Sequence, residues 1–354
     1  MVGAGQLARM TQPAAIALGV DLRVLAAAPD DPAAQVVVDT WVGGELDAFA
    51  EGCDAVTFDH ELVDLDAVAA LDRAFPSAAA LRMAADKGAG RRRLEDGGFP
   101  VPAWASVPGP DGVRSFADRH GWPLVLKSVR GGYDGRGVWV VADEAAAAEV
   151  MASGVDLLVE EHVAIERELA VLVARRPGGE AVAWPVVETV QVEGICREVL
   201  GPTERREATA LGLAVAEAIG VVGVLAVELF QTDGTLLVNE LATRPHNSGH
   251  WTIEGSATSQ FENHLRAVLD LPLGDTAARA PAAAMVNVLG APDGSDPRHR
   301  LADALATGGD VHVHLYGKAP RPGRKLGHVT ALGDDPDEVR ARARRTVAAL
   351  GGAG

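Results

Sequence analysis

The residues best suited to chemistry lie in one short polar segment that follows an apolar, strand-like run. The segment, residues 239–255, reads "NELATRPHNSGHWTIEG" and contains carboxylates, an arginine, two histidines and a tryptophan. Pro245 and Gly249 interrupt any helix there. A surface loop does not require the tryptophan and histidines, and a core strand does not favour so many polar groups. The segment is therefore a candidate functional site.

A predicted β-hairpin brings Glu228 and Glu240 together just before this segment. Both lie in "VLAVELFQTDGTLLVNEL", and a three-residue loop over 232–234 sets Glu228 opposite Val238, with Glu240 as its diagonal neighbour on the same face. Neighbouring carboxylates repel each other unless a cation lies between them, and Mg²⁺ with nucleotide phosphates suits such hard oxygen ligands. A solvated glutamate pair on an edge hairpin remains the alternative at this point.

A glycine-rich segment, "KSVRGGYDGRG" from Lys127 to Gly137, follows the apolar strand "PLVL". Its small side chains allow backbone N–H groups to approach phosphate oxygens, while the lysine and arginines supply positive charge. It is not a Walker loop, because no "GK[ST]" precedes a helix. An ordinary glycine-rich hairpin turn is the competing interpretation.

Two further patterns match known binding motifs, but their sequence context argues against a binding site. "GAGQLA", residues 3–8, matches the dinucleotide fingerprint, but almost no strand precedes it, so a plain strand–helix turn is expected. His246 and His250 have helical i,i+4 spacing, yet Pro245 and Gly249 argue against a helix. A zinc site is therefore not expected there.

Length and composition bound the class of protein. The chain has 354 residues, which predicts two or three lobes, and 48% of them are hydrophobic, enough for a large core. A net charge of −17 argues against a nucleic-acid partner. Two distant cysteines do not indicate a disulfide framework. No signal pattern or membrane-length apolar run is seen, so a cytoplasmic α/β protein is expected.

The secondary-structure pattern divides the chain into three lobes with predicted boundaries at 1–82, 83–272 and 273–354. Strands are predicted at "LRVLAA", "DAVTFD" and "DLLVEEHV", and one helix at "AADKGAGRRRLEDGG". A second helix, "TERREATALGLAVAEAIG", presents one apolar face made of Leu211, Val215, Ala218 and Ile219. The last lobe has short strands, "AMVNVLG", "VHVHLYGK" and "RKLGHVTALG", closed by a basic helix.

Taken in order, these segments resemble the ATP-grasp superfamily, and within it the 5-(carboxyamino)imidazole ribonucleotide synthases. The similarity covers essentially the whole chain and is carried by "RGGYDGRG", "VGVLAVELF", "LLVNELATRPHNSGHWTIEG" and "TSQFENHLRAVLDLPLGD". It implies an ATP-grasp fold with an N-terminal Rossmann-like lobe and a small β-rich C-terminal lobe. "RPHNSGHWTIEG" is long and irregular, so it is the most specific of these motifs.

The resemblance also divides the candidate residues among nucleotide, metal and substrate. It implies that ATP is held by Lys87, Lys127, Gly132, Tyr133, Asp134, Gly135, Arg136, Gly137, Glu160, Glu161, His162, Val163, Glu168, Gln191, Asn239 and Glu240. It assigns magnesium to Glu228 and Glu240. It places aminoimidazole ribonucleotide and the carboxylating species against Glu61, Tyr133, Arg244, His246, Asn247, Lys318 and Arg324. It implies catalytic roles for Arg244, His246 and Lys127. His250 is a second candidate for the base.

The implied reaction is ATP-dependent carboxylation of 5-aminoimidazole ribonucleotide by bicarbonate, through carboxyphosphate, in purine biosynthesis. The implied partners are small molecules only, with a homodimer as the assembly and an N5-carboxyaminoimidazole ribonucleotide mutase receiving the product. A formate-dependent glycinamide ribonucleotide transformylase, a biotin carboxylase or a non-catalytic nucleotide-binding module are the alternatives. The paired glutamates and Lys127 argue against the last, because a pure binder does not need a metal pair.

The sequence departs from the family pattern at a few positions. Lys87 stands where arginine is usual, which keeps the charge but loses the bidentate fork. Gln191 replaces a histidine near the nucleotide, and Ala242 stands where many ATP-grasp enzymes have a third metal ligand. The first strand is cut short at Met1, so an earlier natural start is an open expectation. None of these changes removes the central chemistry.

Overall fold

The computed structural model describes residues 1–132 and 135–352, and its strands form three sheets. The N-terminal lobe holds a short parallel sheet and the first helices. Its elements are α1 (Gln6–Leu18), β1 (Arg23–Ala26), β2 (Asp39–Val42), α2 (Leu46–Ala50), α3 (Leu65–Ala69), α4 (Ala78–Ala85) and α5 (Lys87–Asp96). The strand β2 was not predicted.

In the centre of the N-terminal lobe, the backbone pairs through isolated single-residue bridges and not through full strands. Val2 forms parallel bridges with Leu25 and Phe58, and Val56 forms one with Ala74. The predicted strand "DAVTFD" is therefore wrong as a full strand, although Val56 and Phe58 are buried in the lobe's core. Val2 therefore pairs between the Leu25 and Phe58 segments in the middle of the lobe.

The start of α1 confirms a plain strand–helix turn at "GAGQLA". The Asp59 carboxylate accepts hydrogen bonds from the backbone N–H of Gly5 at 2.5 Å and of Ala8 at 3.1 Å. A helix N-terminus attracts anions, and here the protein's own carboxylate fills that place. The arrangement leaves no room there for the pyrophosphate of a dinucleotide.

The single helix predicted over "AADKGAGRRRLEDGG" is wrong, because Asp86 divides it into α4 and α5. Asp86 leaves helical geometry, with φ −123° and ψ 102°. Its carboxylate accepts a hydrogen bond from Ala89 N at 2.9 Å and so caps α5. The break directs Lys87, the first residue of α5, toward the central cleft.

A small four-stranded antiparallel sheet forms the middle lobe and carries the glycine-rich loop. Its strand order is β3-β6-β4-β5, and two helices cover it. The elements are β3 (Trp104–Val107), α6 (Pro110–His120), β4 (Leu124–Ser128), β5 (Val138–Val141), α7 (Glu144–Met151) and β6 (Leu157–Glu161). The predicted hairpin of β4 and β5 is confirmed, as is the strand "DLLVEEHV".

A nine-stranded sheet runs through the rest of the chain, in the order β12-β11-β7-β9-β10-β13-β15-β14, with β8 paired to β7. Its strands are β7 (Arg167–Arg175), β8 (Ala181–Ala183), β9 (Val186–Val192), β10 (Ile195–Thr203), β11 (Gly223–Thr232), β12 (Thr235–Ala242), β13 (Ala282–Leu289), β14 (Val311–Leu315) and β15 (Lys325–Gly333). The helices are α8 (Arg206–Ile219), α9 (Thr252–Gly255), α10 (Gln260–Val268), α11 (Leu301–Leu305) and α12 (Pro336–Ala349).

The C-terminal strands continue this sheet instead of forming a separate one. β13 pairs with β10 in antiparallel register, with Val199 opposite Met285. The basic helix α12 covers β13 and β15 through buried Val339, Ala343 and Val347. The domain boundaries at 82/83 and 272/273 stay predictions.

The apolar face of α8 rests on the other end of the same sheet. Val215 is fully buried, and Leu211 and Ile219 pack against the same core while remaining partly exposed. Ala208, Gly212 and Ala216 are the other buried residues of the helix. Small residues let this helix approach the sheet closely: a Cβ on Gly212 would lie 2.7 Å from Val171. In the ranges described, no helix combines the length and apolar character of a membrane span.

Candidate active site

The hairpin of β11 and β12 sets Glu228 directly opposite Glu240. Its turn has two residues, Asp233 and Gly234, both with positive φ (46° and 74°), so the predicted three-residue loop is wrong. The register then shifts by one residue at Asn239, which is a β-bulge. The turn and the bulge together move the register by two residues, so the carboxylates still lie together on one face.

The carboxylates of this pair lie close to one another and to Glu168. Burial raises the pKa of Glu228, and the nearby carboxylates of Glu240 and Glu168 raise it further, to about 8. Burial also raises the pKa of Glu168 to about 7. Carboxylates that face each other repel one another when ionised, so a divalent cation between them would stabilise the ionised pair and fits the donor set.

Lys127 lies beside the carboxylate pair and is fixed by two side chains. Its Nζ donates to the bulge residue Asn239 at Oδ1, 3.0 Å away, and forms an ion pair with Glu160 Oε2 at 2.7 Å. Glu160 is buried and also pairs with Arg91 through Nε and Oε1 at 2.6 Å. Burial alone would raise the pKa of Glu160, but Lys127 and Arg91 outweigh it, so the net shift is downward.

This network adds Arg91 to the site and gives the Glu160 side chain a role that the sequence did not show. Glu160 was expected only as one of the ATP-binding residues. Its side chain holds Lys127 beside Asn239 of β12. Arg91 lies in the run "GRRRLED", which contains three arginines, and only the fold shows which of them points inward.

Lys87 reaches the same centre from the start of α5. Its Nζ lies 2.9 Å from Glu240 Oε1 and donates to the Gly131 carbonyl at 3.4 Å. One ammonium group therefore contacts both the carboxylate pair and the glycine-rich loop. The arginine usual in the family is not needed for this single-point contact.

The glycine-rich loop depends on backbone geometry that other residues adopt with difficulty. Gly132, Gly135 and Gly137 all have φ between 75° and 80°. A Cβ on Gly135 would lie 2.9 Å from Cα of Gly194, so the loop touches the turn between β9 and β10. Arg136 belongs to this loop, while Tyr133 and Asp134 lie outside the described residues.

The other expected nucleotide-binding residues lie on or just beyond strands β6, β7 and β9. Glu161, at the end of β6, is fixed because its Oε1 accepts from Ala103 N at 2.8 Å. His162 is exposed and Val163 is half-buried just beyond it. Glu168 opens β7, and Gln191 lies on β9 opposite Cys196.

Arg244 joins the polar segment to the N-terminal lobe. Its Nε donates to Glu61 Oε2 at 2.9 Å, and its Nη1 donates to the Pro245 carbonyl at 3.1 Å. Burial alone would lower the pKa of Arg244, but Glu61 outweighs that effect and the net shift is upward. Both residues were expected to bind substrate, and the structure brings them together.

His246 lies at the carboxylate pair, whereas His250 does not. The His246 Nε2 lies 3.4 Å from Glu228 Oε1, and its Nδ1 is hydrogen-bonded to the Ser248 hydroxyl at 2.9 Å. Burial, and then Arg244, lower the pKa of His246 to about 3, so the ring is neutral. His250 is buried and stacks on His328 with 4.9 Å between ring centroids, which removes it as a candidate base.

The remaining expected substrate residues lie around this segment. Asn247 is half-buried next to His246, with a buried Nδ2 that has no partner among the described atoms. Lys318 and Arg324 lie between β14 and β15, where Lys318 Nζ is 5.6 Å from the Tyr316 ring and Arg324 Nη1 donates to Ala319 O at 3.0 Å. The N-terminal lobe reaches this connection through Gln35.

Family models match nearly the whole chain in three parts. A ribonucleotide synthetase pre-ATP-grasp domain matches residues 1–85, an ATP-grasp domain 92–261, and a phosphoribosylaminoimidazole carboxylase C-terminal domain 283–342. An N5-carboxyaminoimidazole ribonucleotide synthase of Mycobacterium tuberculosis is 52% identical over 97% of this chain and 85% of its own length. The chain belongs to the N5-carboxyaminoimidazole ribonucleotide synthase family. The resemblance drawn from the sequence is thus confirmed.

Solved structures of the family agree with this fold. The synthetase of Thermus thermophilus has a TM-score of 0.87 and 38% identity, covering 99% of this chain and 98% of that one. The synthase of Aspergillus clavatus, in complex with ADP and 5-aminoimidazole ribonucleotide, has a TM-score of 0.88 and 31% identity with the same coverage. The expected fold class, pre-ATP-grasp lobe, ATP-grasp core and C-terminal domain, is confirmed.

Membership of the family also decides the reaction. The chain is an ATP-dependent ligase that carboxylates 5-aminoimidazole ribonucleotide to N5-carboxyaminoimidazole ribonucleotide in purine biosynthesis. The alternatives of a formate-dependent transformylase, a biotin carboxylase and a non-catalytic module are set aside. The roles of individual residues in binding and catalysis do not follow from family membership and are proposed below.

Proposed function

We propose that the cleft between Glu228, Glu240, Lys127 and Arg244 uses ATP to activate bicarbonate and then passes the carboxyl group to the substrate amine. The facing of Glu228 and Glu240 across the hairpin supports this most strongly. The pair has two nearby lysines, and an arginine lies just beyond the end of β12. This is the arrangement that a triphosphate and a second anion require.

The first step is a phosphoryl transfer to bicarbonate. A bicarbonate oxygen attacks the γ-phosphorus of ATP, the bond from that phosphorus to the β–γ bridging oxygen breaks, and ADP and carboxyphosphate result. Lys127, held by Asn239 and Glu160, neutralises charge on the phosphates without reorganising. The glycine-rich loop places backbone N–H groups over the phosphates and excludes water.

Magnesium fits the carboxylate pair of Glu228 and Glu240. When bound there, Mg²⁺ neutralises phosphate charge and orients the triphosphate. The protein contributes by holding the two carboxylates in fixed positions. Glu228 and Glu240 lie on paired strands, and the bulge at Asn239 keeps both on one face. Lys87 supplies a further positive charge at Glu240.

The second step is capture of the activated carboxyl group by the exocyclic amine of the substrate. The amine nitrogen forms a bond to the carboxyl carbon, phosphate leaves, and the amine loses a proton. Arg244 binds the anionic carboxylating species, and Asn247, Lys318 and Arg324 bind the ribonucleotide. His246 lies beside the pair, with Nε2 3.4 Å from Glu228 Oε1, and this position is why we assign the amine proton to it.

Three wider assignments accompany this mechanism. We propose a cytoplasmic location, a homodimer, and delivery of the product to an N5-carboxyaminoimidazole ribonucleotide mutase. The resemblance to the family supports all three. The net charge of −17 is in keeping with small-molecule substrates that are bound in a local basic pocket.

Substrate dependence tests the proposed function. We expect ADP release to require both bicarbonate and 5-aminoimidazole ribonucleotide, because phosphoryl transfer and amine capture occur in one cleft. Formate with glycinamide ribonucleotide, or added biotin, should not replace them. A coupled ADP assay in bicarbonate-depleted buffer measures this, and turnover stimulated by formate and glycinamide ribonucleotide would refute the proposal.

A further inference from the structure

The buried side-chain amide of Gln260 forms hydrogen bonds to the polar segment that carries Arg244 and His246. The Gln260 side chain, at the first position of α10, is fully buried. Its Oε1 accepts from the backbone N–H of His246 at 2.8 Å, and its Nε2 donates to the His246 carbonyl at the same distance. Its Nε2 also donates to His250 Nδ1 at 3.0 Å.

The orientation of this amide is fixed by the chemistry of its partners. A backbone N–H only donates and a carbonyl only accepts, so Oε1 must face His246 N and Nε2 must face His246 O. The Nε2 group then has a hydrogen for His250 Nδ1, which must accept it. A neutral His250 therefore carries its own proton on Nε2.

The surroundings of Gln260 hold it in place. Its own backbone N–H donates to the Thr252 hydroxyl at 2.9 Å. A Cβ on Gly249 would meet the Gln260 side chain and Leu172, so the loop and the amide are packed without a gap. A side chain that is buried, satisfied and enclosed in this way has one available geometry.

These hydrogen bonds of Gln260 affect the substrate pocket. Gln260 binds both backbone groups of His246, which lies two residues after Arg244 and next to Asn247. Loss of the Oε1 bond removes the partner of the His246 N–H, and loss of the Nε2 bond leaves the His246 carbonyl held only by Gly249 N, 2.9 Å away, so that the segment can shift. A displacement of about 1 Å at a binding group costs up to about a hundred-fold in rate.

We propose that Gln260 is a positioning residue for the aminoimidazole ribonucleotide pocket, acting through the backbone of His246 and the ring of His250. The proposal rests on the substrate role given above to Arg244, His246 and Asn247. It concerns substrate binding and not the nucleotide, because Gln260 contacts neither the glycine-rich loop nor the Glu228–Glu240 pair in the described contacts.

The same helix offers a matched control in Asn263. It is also fully buried, and its amide also clamps both backbone groups of one residue: Nδ2 donates to the Gly274 carbonyl at 3.1 Å and Oδ1 accepts from Gly274 N at 2.7 Å. Gly274 lies in the connection between α10 and β13, outside the polar segment. The two residues therefore share burial, helix and chemistry but differ in what they hold.

The test compares Gln260→Glu with Asn263→Asp by steady-state kinetics and thermal melting. A carboxylate at 260 cannot donate to the His246 carbonyl. We expect Gln260→Glu to raise KM for aminoimidazole ribonucleotide about ten-fold and to leave KM for ATP within about two-fold. Asn263→Asp should lower Tm by a similar amount with both KM values near native. Gln260→Met, which adds no charge, should repeat the Gln260→Glu pattern and serves if that variant does not fold.

The outcomes distinguish failure of the positioning role of Gln260 from failure of the substrate role proposed for Arg244, His246 and Asn247. An unchanged ribonucleotide KM in both Gln260 variants, or an equal rise in Asn263→Asp, would overturn the positioning role. Arg244→Ala is measured in parallel. If Arg244→Ala loses carboxylation while the Gln260 variants behave as native, only the positioning role fails. If Arg244→Ala also keeps native kinetics, the substrate role of the segment fails, and the positioning role fails with it.

Discussion

Glu240→Gln is expected to lower kcat at least a hundred-fold while leaving the fold intact. The change removes one of the two charges that face each other across β11 and β12 and so halves the charge offered to magnesium. Stability should change little, because Glu240 is 44% exposed in its contact with Lys87, and exposed ion pairs contribute about 0.2–1 kcal/mol. Magnesium titration of ATP turnover, with Tm on the same preparation, measures both effects.

The same hairpin provides a control at its other end. The Glu166 carboxylate accepts hydrogen bonds from Asp233 N at 3.1 Å and from Gln231 Nε2 at 3.3 Å, close to the turn. Glu166 precedes β7 and contacts the hairpin only at this turn, so Glu166→Gln removes an equal charge beside the hairpin but leaves the Glu228–Glu240 pair unchanged. It should keep native turnover. Near-native activity of Glu240→Gln at low magnesium would show that the metal assignment is wrong.

Arg244→Ala is expected to lose carboxylation by a few hundred-fold while ATP affinity stays within a few-fold. A charge-assisted contact used in the transition state contributes roughly 3–4 kcal/mol. The ion pair with Glu61 adds a stability effect, because Glu61 Oε1 is already buried without a partner and Oε2 would lose its own. We expect a loss of about 1–3 kcal/mol in the free energy of unfolding.

A double-mutant cycle separates catalysis from pairing at this position. In Arg244→Ala/Glu61→Gln the unpaired charge is gone, so Tm should recover toward native while product formation stays low. If Arg244 served only to pair with Glu61, the double variant would recover Tm and would form product as fast as the Glu61→Gln single variant, which is measured beside it because Glu61 is itself an expected substrate residue. ATP binding, melting and product formation on one preparation of each variant decide the matter. Glu254, another carboxylate in the same polar segment, binds His314 Nε2 at 2.6 Å.

Much of the site could be predicted because it follows short-range rules. A period of two residues keeps Glu228 and Glu240 on one face of the hairpin, and that face survived the error in the turn. The turn itself was mispredicted because it closes with two positive-φ residues, which moves the register by one residue. The bulge at Asn239 moves it by one more residue in the same direction, and the total of two residues keeps both glutamates on one face. Bulges leave no clear mark in a single sequence.

The parts that could not be predicted are contacts between elements that lie apart in the sequence. Nothing near Glu160 in the chain indicates that Arg91 and Lys127 share its carboxylate. Gln260 lies in the quoted motif "TSQFENHL", but its role depends on the packing of α10 against residues 246–250. The break at Asp86 was missed because alanine and arginine continue a helical pattern on both sides.

The central claim is that the cleft transfers the γ-phosphoryl group of ATP to bicarbonate before the amine is carboxylated. Bicarbonate labelled with ¹⁸O tests it most directly, with mass spectrometry of the inorganic phosphate from a single turnover. Phosphoryl transfer to a bicarbonate oxygen predicts that each phosphate carries one ¹⁸O atom, because that oxygen stays on phosphorus when carboxyphosphate gives up its carboxyl group. Phosphate free of ¹⁸O, with product formed in normal yield, would contradict the account.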